Sequence, residues 1–498
     1  MVACNEDGFS DSNVTSICST GDSSKGGQAV EGRKRYVGEK GIGFKTVFGI
    51  SPAPHIISRH FAFHYKPKSE GNPFNLVMPY WIKDEGIVTW ARNFARNHLG
   101  LAVDSTRGTV MLLPIIAEKM NLVASTIQDF AKDRDGLLFL TKIGRVAVKQ
   151  FATSQDPSVS SSVAIEAEPL LVTLATCPTV SAAEFTEDRC VSLLKVVVEG
   201  VTPTICTWLR VDMTFKATEE DESRKNVTGV PISIAMPLDP SKQLENISSG
   251  RLYAFLPTNV RDSRLPCLVH ADFVMGTSRE SFDASNKWNT CILRTFFPQI
   301  YVAAFEYLIA YLYHPSTQLP LNVKLQLLVG AFPSKADCAS EKLRQACEQI
   351  SGTLATLKFV PCAHVLGIMS LAEVTIAPRQ VLSVITSHDD MKKIHGSFNV
   401  AALKPLAHSL LHEIVTATKL QQQSTSFFVP SASEWTESHW KQALHATDWL
   451  SQQAHDAPWF CLVFRFGHFL SSFPQLKQCF PLFAPCRHHH FAFCLSFI

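Results

Sequence analysis

The clearest chemistry in this sequence is anion binding by backbone amides. Residues 36–48 read Tyr-Val-Gly-Glu-Lys-Gly-Ile-Gly-Phe-Lys-Thr-Val-Phe, in which Gly38, Gly41 and Gly43 form a Gly-x-x-Gly-x-Gly motif. Glycine allows positive φ and lets the backbone approach a ligand closely. Apolar residues then follow at helical spacing, and a helix that begins there directs its free N–H groups toward an anion. The motif predicts a phosphate cradle that opens a helix; the alternative is an ordinary Gly-rich turn.

Four further segments stand in a fixed order around this motif. They are Cys4-Asn5-Glu6-Asp7-Gly8-Phe9, Ser23-Ser24-Lys25, Pro54-His55-Ile56-Ile57-Ser58, and Gly108-Thr109-Val110-Met111-Leu112-Leu113-Pro114. Their order resembles the GHKL ATP-binding domain, which gyrase, the ninety-kilodalton heat-shock chaperone, histidine kinases and MutL share. More narrowly it resembles the branch found in sacsin and in the plant No Vein proteins. The resemblance is specific over residues 1–115 and looser to about residue 315.

The resemblance implies an ATP site made of residues far apart in the chain. Asn5 and Gly8 would lie at the adenine, with Cys4 departing from the amide that the branch prefers. Thr109 would lie on the same sheet as the strand at Met1–Cys4 and reach the base through water; the alternative is a threonine favoured by β propensity. The implied nucleotide-binding set is Asn5, Gly8, Ser24, Lys25, Gly38, Gly41, Gly43 and Thr109.

Three other residues are candidates for a role in catalysis. Related ATPases reach the γ-phosphate with a basic residue of the following domain, and Arg279 is the candidate sensor here; the alternative is a structural or surface arginine. His270 and Asp272 invite a dyad, but with no nucleophile in view a structural pair is favoured. We assign no catalytic residue and no metal ligand. Mg²⁺ would enter only with ATP.

The resembled family has a helix before its first motif strand. That helix supplies a glutamate that orients water and an asparagine that binds Mg²⁺. This sequence begins after both, at Met1, so it is either truncated or has lost the catalytic half of the site. We therefore expect ATP binding to be weak or lost and hydrolysis to be negligible, since general-base assistance is worth roughly 10²–10⁴ in rate.

Composition describes an ordinary globular protein. The chain has 498 residues, of which 46% are hydrophobic and 18% charged, with a formal net charge of +2. A net charge so close to zero does not favour a nucleic-acid partner. The 14 cysteines follow no framework, and no signal peptide is recognisable, which favours the cytoplasm or nucleus. No apolar run reaches the roughly 18 residues that span a membrane.

Hydrophobic periodicity predicts the elements that hold these residues. Residues 11–18 form a helix capped by Asp11 or Ser12. Residues 55–65 form a strand with Phe61, Phe63 and Tyr65 on one face. Residues 193–198 pair with residues 204–215, and a buried helix runs from Trp288 to about Tyr313.

The predicted fold class is α+β. Residues 1–115 form a GHKL (Bergerat) α/β sandwich, incomplete at its N-terminus, with a largely antiparallel sheet and helices on one face. Residues 116–315 form a second α/β domain, residues 316–457 a mainly helical region, and residues 458–498 an irregular tail rich in Phe, Pro, Cys and His. The favoured function is a sacsin or No Vein-like chaperone-like or regulatory protein with ATP-linked conformational change, acting on a protein client or partner. The alternative is a non-hydrolysing scaffold.

Overall fold

The computed structural model has an α+β arrangement, in which the described residues form two large β-sheets with helices packed on them and two two-stranded sheets. It describes residues 1–19, 43–67, 73–132, 134–140, 142–151, 157–169, 185–199, 204–219, 221, 224, 227–239, 250–254, 256–262, 265–276, 285–333, 341–362, 367–370, 375–376 and 433–434. Among these residues no helix is both long and apolar enough to cross a membrane. The predicted tail, residues 458–498, lies outside the described residues.

The first sheet has five strands, all paired antiparallel. They are β1 (Val2–Cys4), β2 (His55–Ser58), β3 (Phe61–His64), β4 (Tyr80–Trp81) and β5 (Thr109–Leu112), in the order β1-β5-β2-β3-β4. The predicted strand over residues 55–65 is a hairpin, because Arg59 takes a φ of 52° and turns the chain between β2 and β3. Thr109 pairs with Cys4 on one side and Ser58 on the other. The predicted placement of Thr109 on the sheet of β1 is confirmed.

Helices cover both faces of this sheet, so the prediction of helices on one face is wrong. Helix α1 (Asp11–Cys18) and a 3₁₀ helix (Phe44–Gly49) pack on the face of Ile56 and Phe63. Helix α2 (Glu85–Leu99) packs on the face of Ile57 and Val110. The physical reason is that β2 carries an isoleucine on each face, and both must leave water.

Local signals set the ends of these helices. Ser10 caps α1 in a capping box with Asn13, so the predicted cap at Asp11 or Ser12 is displaced by one or two residues. Asp84 accepts a hydrogen bond from the Gly86 N–H at the start of α2, and Gly100 ends that helix in the left-handed conformation at a φ of 70°. Helix α3 (Met120–Lys132) follows β5.

The second sheet has eight strands in the order β12-β11-β13-β10-β9-β8-β7-β6. They are β6 (Arg145–Phe151), β7 (Pro157–Pro169), β8 (Phe185–Glu199), β9 (Thr204–Lys216), β10 (Gly229–Pro237), β11 (Gly250–Ala254), β12 (Leu256–Asp262) and β13 (Leu268–Ala271). Only β11 and β13 pair in parallel among the strands described in it. Val198 pairs with Thr204, so the predicted β8–β9 pairing is confirmed.

A helical layer buries one face of the second sheet. Helix α4 (Lys287–Cys291), a π-helical turn (Ile292–Phe296) and α5 (Phe297–Tyr313) run without a break, which confirms the predicted buried helix. Helices α6 (Leu321–Gly330) and α7 (Glu341–Leu354) join the same core, as do residues of β14 (Lys358–Cys362). Strand β15 (Gly367–Ser370) pairs with β14, and β16 (Thr375–Ile376) pairs with β17 (Ser433–Glu434). The core of the second sheet therefore continues past residue 315.

Candidate functional site

The candidate site lies where β1 leaves the first sheet and β5 enters it. After Cys4 the chain turns through residues 5–9, and the Gly108 N–H donates to the Glu6 carbonyl at 2.8 Å, which ties the turn to β5. Gly8 has a φ of 83°, and a Cβ added there would lie 2.3 Å from Cγ of Arg59 and 3.2 Å from Oγ of Ser58. Glycine fits this position because it has no Cβ and tolerates positive φ.

A chain of hydrogen bonds runs through this junction. The Phe9 N–H donates to Oγ of Ser58 at 2.8 Å, the Ser58 and Thr109 hydroxyls lie 2.6 Å apart, and Oγ1 of Thr109 lies 2.7 Å from Oε1 of Glu6. An ionised carboxylate only accepts, so the Thr109 proton is directed to Glu6. The proton of Ser58 therefore points to Thr109. All three donors point the same way and end on one carboxylate.

Burial changes along this chain from its hydroxyls to its carboxylate. Ser58 is fully buried and Thr109 is 3% exposed, whereas Glu6 is exposed. Ser58 is also 3.3 Å from the Gly108 carbonyl, a second and weaker acceptor. A carboxylate offers about four acceptor positions, and Thr109 occupies one of them. The buried hydroxyls thus fix an acceptor at the surface that a ligand amine or a water molecule can reach.

The 3₁₀ helix after Gly43 is fastened to α1. Nζ of Lys45 donates to the Ile17 carbonyl at 2.7 Å, at the C-terminal end of α1, where the helix dipole favours a cation. Burial lowers the pKa of Lys45, and nearby Cys18 opposes that shift. Burial, together with the contact to Cys18, raises the pKa of Tyr65, whose hydroxyl lies 3.5 Å from the Cys18 sulfur. Lys45 is thus half-buried in a structural contact.

The helix that the Gly-rich motif predicts is present but short. It is a 3₁₀ helix of six residues, and Gly43 precedes it with a φ of −57°. Phe44, Phe48 and Tyr65 pack together with ring centroids 5.3–6.0 Å apart. A Cβ at Gly43 would meet no atom within 4 Å, so packing does not demand glycine there.

The structure brings some of the predicted site residues together. Gly8 and Thr109 meet through Ser58, and Asn5 is exposed on the same turn. Gly43 lies at the 3₁₀ helix. The rest of the predicted set lies outside the described residues: Ser24, Lys25, Gly38, Gly41 and Arg279.

Sequence reasoning missed Glu6 and Ser58. Glu6 lies between Asn5 and Asp7, two residue types that are favoured in turns, so the segment is explained as a turn without any role for Glu6. Ser58 is a small polar residue at the end of an apolar strand. Its partner becomes evident only from the register that sets Ser58 opposite Thr109.

His270 and Asp272 each contact a different part of the second sheet. Nδ1 of His270 donates to the Tyr253 carbonyl at 3.2 Å, and Oδ1 of Asp272 accepts from Arg224 at 2.9 Å. Burial lowers the pKa of His270 to about 4. Both side chains are buried, so each serves the fold of the second sheet.

The chain is similar to a plant protein. It is 26% identical over 318 residues to Protein NO VEIN of Arabidopsis thaliana, an alignment that covers 61% of the chain and 10% of that protein. The chain thus spans about a tenth of the length of the curated relative it matches. No protein-family profile matches the chain, and no solved structure does. The similarity supports a distant No Vein-like relationship.

Proposed function

We propose that residues 1–115 form an adenine-nucleotide-binding module of GHKL type. In this proposal ATP occupancy changes the conformation of a chaperone-like or regulatory No Vein-like protein. The observation that carries it is the hydrogen-bond chain from Ser58 through Thr109 to the exposed Glu6 carboxylate. It supports recognition of a base because an adenine amino group donates hydrogen bonds and a fixed carboxylate accepts them.

Each residue of the junction has a role in this proposal. Glu6 accepts from the adenine amino group, and Thr109 holds the Glu6 carboxylate and a bridging water. Gly8 keeps the turn close enough for a flat base to lie against it, since a Cβ there would collide with Arg59. Asn5, exposed beside Glu6, adds an amide donor and acceptor.

The phosphates belong to the other half of the proposed site. Gly38, Gly41 and Gly43 would donate backbone N–H groups to them, and Ser24 and Lys25 would close over them, as the resemblance implies. Arg279 would approach the γ-phosphate from the predicted second domain, residues 116–315. Mg²⁺ would accompany ATP by neutralising the phosphate charge, and no described side chain is assigned to it.

Nucleotide titration with two matched threonine variants tests this proposal. Thr109→Val removes the hydroxyl that holds Glu6 and should weaken ATP binding at least tenfold, measured by isothermal titration with and without Mg²⁺. Thr106→Val is the control, because Thr106 lies in an exposed turn and its partner among the described residues is Asp104. Equal affinities for the two variants would exclude a site at this junction.

A second candidate is an interaction module that does not turn ATP over. Three large apolar side chains close in sequence are exposed beside edge strand β4: Phe74 at 61%, Met78 at 48% and Trp81 at 61%. Contiguous exposed apolar patches mark protein contacts more often than scattered apolar residues do. ATP titration of the folded chain separates the candidates: binding that falls with Thr109→Val supports the first, and absence of ATP binding supports the second.

A further inference from the structure

Helix α2 packs on the strands that hold the candidate site. Ala91 and Ala95, on its inner face, are fully buried against Ile57 of β2 and Val110 of β5. Val110 directly follows Thr109, so the helix lies against the strand that carries the hydrogen-bond chain. Close-packed interiors are hardly compressible and transmit displacement. A movement of β5 should therefore move α2 as well.

A hydrogen bond also ties α2 to the turn that carries Glu6. Nη2 of Arg92 donates to the Arg59 carbonyl at 2.5 Å, at the turn between β2 and β3. The side chain of Arg59 packs on Gly8, where even an added Cβ would lie 2.3 Å from its Cγ. Gly8, Arg59 and α2 therefore form a continuous line of contacts, and a change at Gly8 reaches the helix through Arg59.

The second half of α2 contacts the second sheet. Phe94 and His98 lie one helical turn apart, and both rings pack on Phe151 of β6, with ring centroids 5.3 Å and 5.6 Å from that of Phe151. The ring planes cross at 67° and 84°, the edge-to-face arrangement that aromatic pairs favour. All three side chains are half-buried, so the contact removes part of each ring from water.

A charged contact joins the same two elements. Nζ of Lys149, also on β6, donates to the His98 carbonyl at 2.5 Å. His98 is in the last turn of α2, where carbonyl groups have no partner within the helix and the helix dipole favours a cation. β6 ends the strand order of the second sheet, so Lys149 and Phe151 join α2 to an edge strand.

We propose that α2 couples the two sheets, so that a change at the turn of residues 5–9 changes how firmly β6 is held. The coupling itself needs no ligand, because α2 makes both sets of contacts within the fold. Its use by ATP rests on the proposed function: nucleotide at Glu6 and Thr109 would hold the turn and β5 in place, and α2 would in turn hold β6. Few side chains form the contact with β6, so substitution can break it without touching the first sheet.

Hydrogen exchange of β6, measured on the full chain without nucleotide, tests the coupling. Gly8→Ala should speed exchange of the β6 amides about fivefold, while exchange of β13, a buried strand of the same sheet, stays unchanged. The β13 reference distinguishes an effect on β6 from unfolding of the whole sheet. In the double variant Lys149→Met/Phe151→Ala, β6 should exchange faster from the start, and Gly8→Ala should add nothing. Gly49→Ala, whose Cβ meets no atom within 4 Å, should change neither strand.

A milder variant covers the case in which the double variant does not fold. Lys149→Met alone removes only the contact with the His98 carbonyl and should reduce the response of β6 to Gly8→Ala. Lys119→Met, at an exposed lysine after β5, is the matched control and should leave that response unchanged.

ATP separates the coupling from the proposed nucleotide function. ATP should slow β6 exchange in the parent chain but not in the double variant, at equal ATP affinity. Failure of ATP to bind either chain would reject the proposed function, and the Gly8→Ala comparison would still decide the coupling. A β6 response to Gly8→Ala that is absent from the parent, or equal in the parent and the Lys149 variants, would overturn the proposal.

Discussion

The two sheets bury polar groups in opposite ways. On the eight-stranded sheet the polar groups form closed sets inside a large apolar core. Asp272 accepts from Arg224 at 2.9 Å with both side chains 6% exposed, and its carbonyl accepts from Nε1 of Trp288. On the five-stranded sheet the buried hydroxyls of Ser58 and Thr109 lead outward to exposed Glu6.

This difference distinguishes polar groups that stabilise the fold from polar groups that can bind a ligand. In a buried pair whose polar atoms bond only within the fold, removal of one partner should lower the free energy of unfolding. A hydrogen-bond chain can instead end on an exposed acceptor with free lone pairs. Removal of that acceptor should mainly weaken ligand binding. Asp212 of the second sheet is intermediate, since it accepts from Arg210 at 2.8 Å and from Ser233 while its side chain is 27% exposed. Polar residues at the first sheet are the better functional candidates for this reason.

The largest effect should come from the closed pair. Asp272→Asn removes the carboxylate that faces Arg224 and should lower the free energy of unfolding by about 3–5 kcal/mol, because a charge is left buried. Urea unfolding measures it. The matched control is Glu348→Gln, which breaks an exposed pair with Arg344 on α7 and should cost about 0.3–0.5 kcal/mol. Similar losses in both variants would contradict the distinction between buried and exposed pairs.

His270 should make the second sheet sensitive to acid. Its pKa is about 4 in the fold and near 6.5 in the unfolded chain, so the unfolded state binds more protons between those values. Stability should therefore fall as pH drops from about 6.5 to 4, by about 3 kcal/mol from this residue. His270→Gln should flatten the dependence in urea unfolding at several pH values. His60→Gln should not, since His60 is exposed.

Gly8→Ala should weaken both the fold and the site of the first sheet. The added Cβ would lie 2.3 Å from Cγ of Arg59 at a φ of 83°, a strain of about 1–3 kcal/mol. Nucleotide affinity should fall with it, because the turn that carries Glu6 must move. Gly49→Ala is the control, since a Cβ there meets no atom within 4 Å. Thermal unfolding and ATP titration measure the two effects, and equal behaviour of both variants would contradict the prediction.

Local patterns in the sequence predicted much of this fold. Alternation placed Phe61, Phe63 and Tyr65 on one face, and an apolar run gave the buried helix α5. These signals are local because one face or one stripe repeats every few residues. The hairpin turn within residues 55–65 was missed because Arg59 is not a residue type that marks a left-handed turn.

The site was harder to predict because it depends on register. Thr109 and Gly8 were identified, but their link through Ser58 requires β2 to pair with β5 and β5 with β1. No local pattern specifies which residues face each other across two strands that are about fifty positions apart. Helices on one face were expected from the resemblance, whereas Ile56 and Ile57 lie on opposite faces of β2 and each face is covered.

Glu6→Gln should change stability least and should test the binding role of Glu6 most directly. Glu6→Gln keeps an oxygen that accepts from Thr109 and removes only the charge at an exposed position. The free energy of unfolding should therefore fall by less than about 1 kcal/mol. ATP affinity should nevertheless drop several-fold, because a neutral amide is a weaker acceptor for the adenine amino group and Thr109 competes for its single carbonyl oxygen. Paired urea unfolding and ATP titration measure both quantities, with Asp7→Asn on the same turn as the control. A stability loss as large as that of Asp272→Asn, with binding intact, would make the Glu6 chain structural and remove the contrast between the two sheets.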